Sequence, residues 1–151
     1  MKKLMIIIFA IISIAMAPNL QSGVKLSDAA IERTAHHVRY SSGYIKLEYP
    51  NGDVPEGTGV CTDVVVRSYR NGLGIDLQKL IHEDMKANFD EYPSKRIWGA
   101  TGPDKNIDHR RTQNQECFFK RMGGKLSITN TPEDYKPGDL VYWGDIATGH
   151  V

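Results

Sequence analysis

The chain has 151 residues, the length of one ordinary domain rather than two. Its 40% hydrophobic, 25% charged and 9% aromatic content excludes a disordered or collagen-like chain. A net charge of +1 supplies no basic field for a nucleic-acid backbone, and two cysteines are too few for a disulfide-dense scaffold or a four-cysteine zinc site.

Residues 1–17 read as a secretory signal: Met-Lys-Lys, an apolar run from Leu4 to Ile12, and Ala15 and Ala17 in an A-x-A pattern. Pro18 fits poorly after the cut, so cleavage at another bond or an uncleaved anchor stays open. Each of these readings carries the chain out of the cytoplasm, to the periplasm or beyond. Membrane contact is expected only through an uncleaved signal. Residues 18–151 then form a single domain, and loss of Lys2 and Lys3 turns its net charge slightly negative.

Within that domain Ser27 is placed to cap a helix with a stripe at Ile31, Thr34, Ala35 and Val38, and Leu26 and Ile31 to staple its entry. Ile45, Leu47 and Tyr49 alternate with Lys46 and Glu48, which predicts a strand turned by Pro50-Asn51-Gly52-Asp53. A second helix is predicted from Val60 to Asn71-Gly72, with Val65, Tyr69 and Leu73 inward and Arg67 and Arg70 outward. Asp76 caps a third, whose apolar face is Leu77, Leu80, Ile81, Met85 and Phe89. Residues 98–111 read as a long ordered loop, of the kind that often carries function. Thr112 and Gln115 suggest a capping box for a fourth helix closed by Gly123-Gly124. Strands are predicted at 126–128 and 140–143. Helices first and strands last give an α+β domain without repeats or linkers.

Cys61 falls at a helix start, where unpaired N–H groups and the positive dipole end favour a thiolate. A small buried cysteine explains the position as well. Asp63, in the first helical turn, has a simpler role satisfying the dipole than in catalysis. A nucleophilic cysteine needs a base. Of the five histidines, His36, His37 and His82 fall inside predicted helices. His82 lacks a second histidine four residues on, so no metalloprotease pattern is present, and no metal or cofactor is expected. His109 lies in Asn106-Ile107-Asp108-His109-Arg110-Arg111, among groups suited to an anion, although surface solvation explains it equally. His150 follows the Gly149 turn just after a predicted strand and is the best-placed base.

Gly-Val-Cys-Thr-Asp at 59–63, Lys-Pro-Gly-Asp-Leu-Val-Tyr-Trp at 136–143 and Gly-His-Val at 149–151 resemble the NlpC-type cell-wall cysteine peptidases of the papain-like superfamily. Gly-Asp-Val-Pro at 52–55, Gly-Val-Cys-Thr-Asp-Val at 59–64, Gly-Ile-Asp-Leu-Gln-Lys-Leu at 74–80 and Asn-Ile-Asp-His-Arg-Arg at 106–111 are similar to an exported bacterial family, domain of unknown function 1287, which includes the YijF-like proteins. This second likeness spans nearly all of residues 27–151. The resemblance implies a papain-like fold with N-terminal helices packed on a C-terminal antiparallel sheet. It also implies a Cys–His hydrolase of amide or peptide bonds in peptidoglycan stems, with Cys61 as nucleophile and His150 as base and later acid. The Cys61 N–H is then a candidate oxyanion donor. Val-Cys-Thr replaces the peptidases' Asp-Cys-Ser, and no strand follows the histidine to supply its orienting residue.

Two other function classes stay open. A non-catalytic envelope-binding domain would use Asp108, Arg110 and Arg111, with Asp63 and His109 nearby, to hold a charged ligand. A structural protein would pair Cys61 with Cys117 in an oxidising compartment. Because the chain stops one residue into an expected buried strand, it reads as a C-terminally truncated piece of a longer domain, with reduced stability and activity.

Overall fold

The computed structural model describes residues 20–144 and 149–151. The expected signal at 1–17 lies outside these. Among the described residues no helix is long and apolar enough to cross a membrane. The architecture is α+β and largely helical: α1 (Leu20–Glu32), β1 (Arg39–Tyr40), β2 (Thr58–Gly59), α2 (Cys61–Leu73), α3 (Leu77–Asn88), α4 (Ser94–Trp98) and α5 (Thr112–Arg121).

The core forms where α2, α3 and α5 turn their apolar stripes together. Leu77, Ile81 and Met85 are completely buried at the i, i+4, i+8 spacing of one helix face, and meet Val65, Val66, Tyr92 and Phe118. Burial of each large side chain contributes about 1.5–3 kcal/mol. Asp76 caps α3 as expected, its Oδ1 accepting from the Lys79 N–H at 3.2 Å. The second predicted helix runs slightly past Gly72, because the left-handed residue that ends it is Gly74, at φ 68°.

Several expectations are corrected. The first helix begins before Ser27, which lies inside α1, and its buried face is Gly23 and Leu26; Ile31 is 62% exposed, so there is no staple. Here α1 packs along α2, where a Cβ on Gly72 would stand 2.7 Å from the Lys25 carbonyl. Residues 45–49 show the expected alternation, with Leu47 buried, but pair with no strand among the described residues: the Leu47 N–H donates to the Asn106 side chain at 2.9 Å. Arg67 points inward, 5% exposed, since Asp53 and the Val54 and Thr58 carbonyls satisfy its guanidinium. Thr112 is the first helical residue rather than a cap, and the Gln115 side chain bonds backbone carbonyls instead of closing a box.

The antiparallel C-terminal sheet is the largest correction. Among the described residues the sheet is two-stranded and parallel, with Arg39 opposite Thr58 and Tyr40 opposite Gly59. Residues 126–128 and 140–143 form no strands; one antiparallel bridge joins Trp143 to His150. The 140–143 segment is held by packing instead. Gly138, at φ 93°, sits so close to α1 that its Cβ would stand 2.6 Å from the Gly23 Cα, and a Cβ on Gly23 would meet the Pro137 carbonyl at 2.2 Å. The paired glycines let the Pro-Gly-Asp turn dock on α1, and Leu140 and Val151 then reach the core. Cys61 and Cys117 are both unpaired in this structure, and the Cys117 Sγ donates to the Glu91 carbonyl at 3.4 Å.

Candidate functional site

Cys61 opens α2 after Val60, whose extended backbone turns the chain into the helix. The Asp63 Oδ2 accepts from the Val60 N–H at 2.8 Å, and the Asp63 N–H donates to the Val60 carbonyl at 3.0 Å. Asp63 thus caps the turn that presents the thiol. It is also 3% exposed and pairs with buried Arg110, whose Nε lies 2.9 Å from Oδ1 and whose Nη2 lies 3.0 Å from Oδ2. Two further Arg110 donors go to the Ser41 and Gly43 carbonyls. One guanidinium therefore fastens the 41–43 segment to the start of α2. The Thr62 hydroxyl donates to the Arg110 carbonyl at 2.8 Å, and the Gln115 amide to the Thr62 and His109 carbonyls.

His109 is 2% exposed, with Nδ1 lacking a hydrogen-bond partner among the described residues, and burial pushes its imidazole down to about 4. Asp108 is 1% exposed, and burial pushes its carboxyl up to about 6. Arg111, the next cation along, faces a groove. Its guanidinium lies 4.1 Å from the centroid of the Trp98 ring, with the Asp108 Oδ1 at 3.7 Å.

Two grooves meet at Cys61. An apolar one of about 650 Å³ runs past Val38, Val64, Leu140 and Trp143 to His150. A polar one of about 380 Å³ is lined by Tyr44, Trp98, Arg110, Arg111 and Thr112. Cys61 and His150 thus border one cavity, joined by no hydrogen bond among the described residues. The Trp143 and His150 rings lie 6.0 Å apart, aligned by the backbone bridge between these residues. The Cys61 Sγ lies 3.9 Å from the Thr112 Oγ1. Tyr142 donates to the Gln115 side chain at 3.3 Å; burial raises its phenol above the ordinary value, with Tyr69, Glu116 and Cys61 adding to the effect.

Of the residues singled out from sequence, Cys61, His150, Arg110 and Arg111 border the grooves, whereas Asp63, Asp108 and His109 lie buried behind them. Thr62, Trp98, Thr112, Gln115 and Tyr142 went unremarked as site residues. Thr62 and Tyr142 fall inside the quoted motifs and Thr112 and Gln115 in the expected capping box, while Trp98 stands out as an aromatic in a charged, glycine-rich stretch. Among the described residues no cluster of three or more His, Cys, Asp or Glu is arranged to hold a metal ion.

The model of the family Domain of unknown function (DUF1287) matches residues 27–151. The chain belongs to the DUF1287 family. It is 44% identical over 122 residues to "Uncharacterized protein YijF" of Escherichia coli (strain K12), covering 81% of this chain and 58% of that protein. The chain therefore spans somewhat over half the length of this relative. No solved structure matches. The family's motif segments interlock in space: Asp53 of 52–55 pairs with Arg67 and Arg70, Gln78 of 74–80 bonds the Gly52 N–H and the Lys105 carbonyl, and Arg110 of 106–111 pairs with Asp63.

Proposed function

We propose that this DUF1287 chain is an exported Cys–His hydrolase of amide or peptide bonds in the cell envelope, with peptidoglycan stem peptides as its substrate class. The supporting observation is that Cys61, at the first residue of α2, and His150 border the same groove. The motif likeness to NlpC-type peptidases and the signal-like residues 1–17 add to it.

In this reading the Cys61 thiolate attacks the carbonyl carbon, and the oxyanion that forms accepts from the Cys61 N–H. His150 holds the proton and returns it to the nitrogen as the C–N bond breaks, leaving a thioester and a free amine. Water, deprotonated by His150, then cleaves the thioester to a carboxylate and restores the thiol. Asp63 and Arg110 act as positioning residues by fixing the turn before Cys61.

Purified protein incubated with murein or stem peptides should release new amines. Cys61→Ala should abolish the release, and His150→Ala should reduce it at least about a hundredfold. Undiminished release by Cys61→Ala would overturn the reading. A non-catalytic envelope-binding domain is the second reading, favoured by the absence of a Cys61–His150 hydrogen bond among the described residues. It gains if Cys61 resists a thiol-alkylating reagent at neutral pH.

A further inference from the structure

We propose that the polar groove beside Cys61 is a carboxylate subsite centred on Arg111, which takes a carboxylate of a peptide bound across the cysteine. The inference rests on the reading of the groove as a peptide site and narrows its substrate to an acidic one.

The two adjacent arginines carry the reasoning. A guanidinium has five N–H donors in a planar fork matched to a carboxylate. Arg110 uses its fork internally, on Asp63 and two carbonyls, at 6% exposure. The Arg111 side chain makes no hydrogen bond among the described residues. Its contacts are the Trp98 face at 4.1 Å and the Asp108 Oδ1 at 3.7 Å, beyond hydrogen-bond range. A planar cation fixed against an aromatic wall, with no donor spent on a described residue and its side chain bordering a groove, is preorganised for an oxyanion.

Asp108, paired with Arg111 at 3.7 Å, and Asp104 offset part of its charge, while the helix starts beside it favour an anion. Val60 and Cys61 at the start of α2, and Arg111 and Thr112 at the start of α5, border the same groove, so two helix N-termini direct their positive ends there. Burial also lowers the Arg111 guanidinium from the ordinary arginine value, a cost that an anion in the groove would offset. A volume of about 380 Å³ fits a side chain or chain end rather than a macromolecular surface. Across Cys61 the other groove is walled by Val64, Leu140 and Trp143. A peptide lying over the thiol would thus put its carboxylate on the Arg111 side and apolar atoms on the other.

The test uses the Cys61→Ala protein, so binding is read without turnover. The probes are an N-acetylated, C-amidated alanine-rich pentapeptide with a central glutamate, the same peptide with glutamine, and the glutamine peptide with a free C-terminal carboxylate. Affinity is measured by titration calorimetry. At least one carboxylate peptide should bind about tenfold or more tightly than the fully amidated one. Which of the two does so assigns the carboxylate to a side chain or a chain end. Arg111→Gln should remove the preference, and Trp98→Leu, which keeps the charge but loses the stack, should weaken it about threefold to tenfold. A thermal melt confirms that each variant is folded. Equal binding of all three probes, including no binding by any, overturns the subsite, as does a preference that survives Arg111→Gln in folded protein. An Arg111-dependent preference without amine release from murein sinks the hydrolase and leaves the subsite standing.

Discussion

Arg110 and Arg111 are neighbours in the chain, yet one belongs to a buried clamp and the other to a groove wall. Arg110 turns inward, and its donors are consumed by Asp63 and the backbone of residues 41–43. Arg111 turns outward, stacks on Trp98 and spends no hydrogen bond among the described residues. The lesson concerns Cys61, which lies where the two regions meet. A rigid, satisfied interior fixes the helix start, and an open polar surface is left to meet a ligand. Preorganisation and binding are divided between side chains one residue apart.

The largest effect should come from breaking the clamp. Arg110→Ala leaves the Asp63 carboxylate buried beside a single backbone donor and should cost about 3–5 kcal/mol, read as a shift in the urea midpoint. Arg111→Ala should cost less than about 1 kcal/mol. Similar losses at the two positions would erase the distinction between them.

Proton linkage sharpens the same contrast. His109 behind the clamp titrates near 4 in the fold against 6.5 in its absence, so its contribution falls as pH drops from 6.5 toward 4, by about 3 kcal/mol at most. Above 6.5 it is neutral in both states and contributes no pH dependence. Asp108 runs the opposite way: its carboxyl, raised from 3.8 to about 6, favours folding as pH falls from about 6 toward 4. Measured by urea unfolding at pH 7 and pH 4.5, His109→Gln should gain stability relative to wild type on acidification. Asp108→Asn should lose it. A pH-independent difference for both would contradict their buried placement.

On the groove side the rigid point is the Gly23–Gly138 contact that seats the 140–143 segment. Gly23→Ala should cost about 1–3 kcal/mol, because its methyl would meet the Pro137 carbonyl at 2.2 Å. An unchanged melting temperature would mean that this segment does not dock on α1. The smallest effect is one of thiol reactivity. Burial pushes the Cys117 thiol up, and its Sγ is engaged by the Glu91 carbonyl, whereas Cys61 borders two grooves. Iodoacetamide at neutral pH should label Cys61 about tenfold faster, as read by peptide mass spectrometry. Equal rates would place Cys61 with the clamp rather than with the groove.

The helices were legible because their signals are local. Asp76, the 3.6-residue apolar stripe of α3 and the Cys61 helix start can each be read from a dozen residues. Arg67 lies inward although its charge and helical periodicity predict an outward side chain, because the partner that makes burial tolerable, Asp53, is 14 residues away in sequence. Residues 45–49 and 140–143 have strand-like patterns, but a pattern of alternation does not say whether a neighbouring strand exists. Their backbones are held instead by a side chain, Asn106, and by a glycine contact with α1.

From the residues alone the chain's α+β class, its helical core and its family could be read, together with Cys61 and His150 as the pair to watch. Those conclusions rest on local propensity and on short motifs. Only the tertiary structure decided that Asp63 and Arg110 are bound to each other, that Asp108 and His109 are buried behind them, and that Arg111 is left facing the groove. The reason is physical: whether a charged side chain is spent or free depends on desolvation and on partners far away in sequence, which no local pattern records.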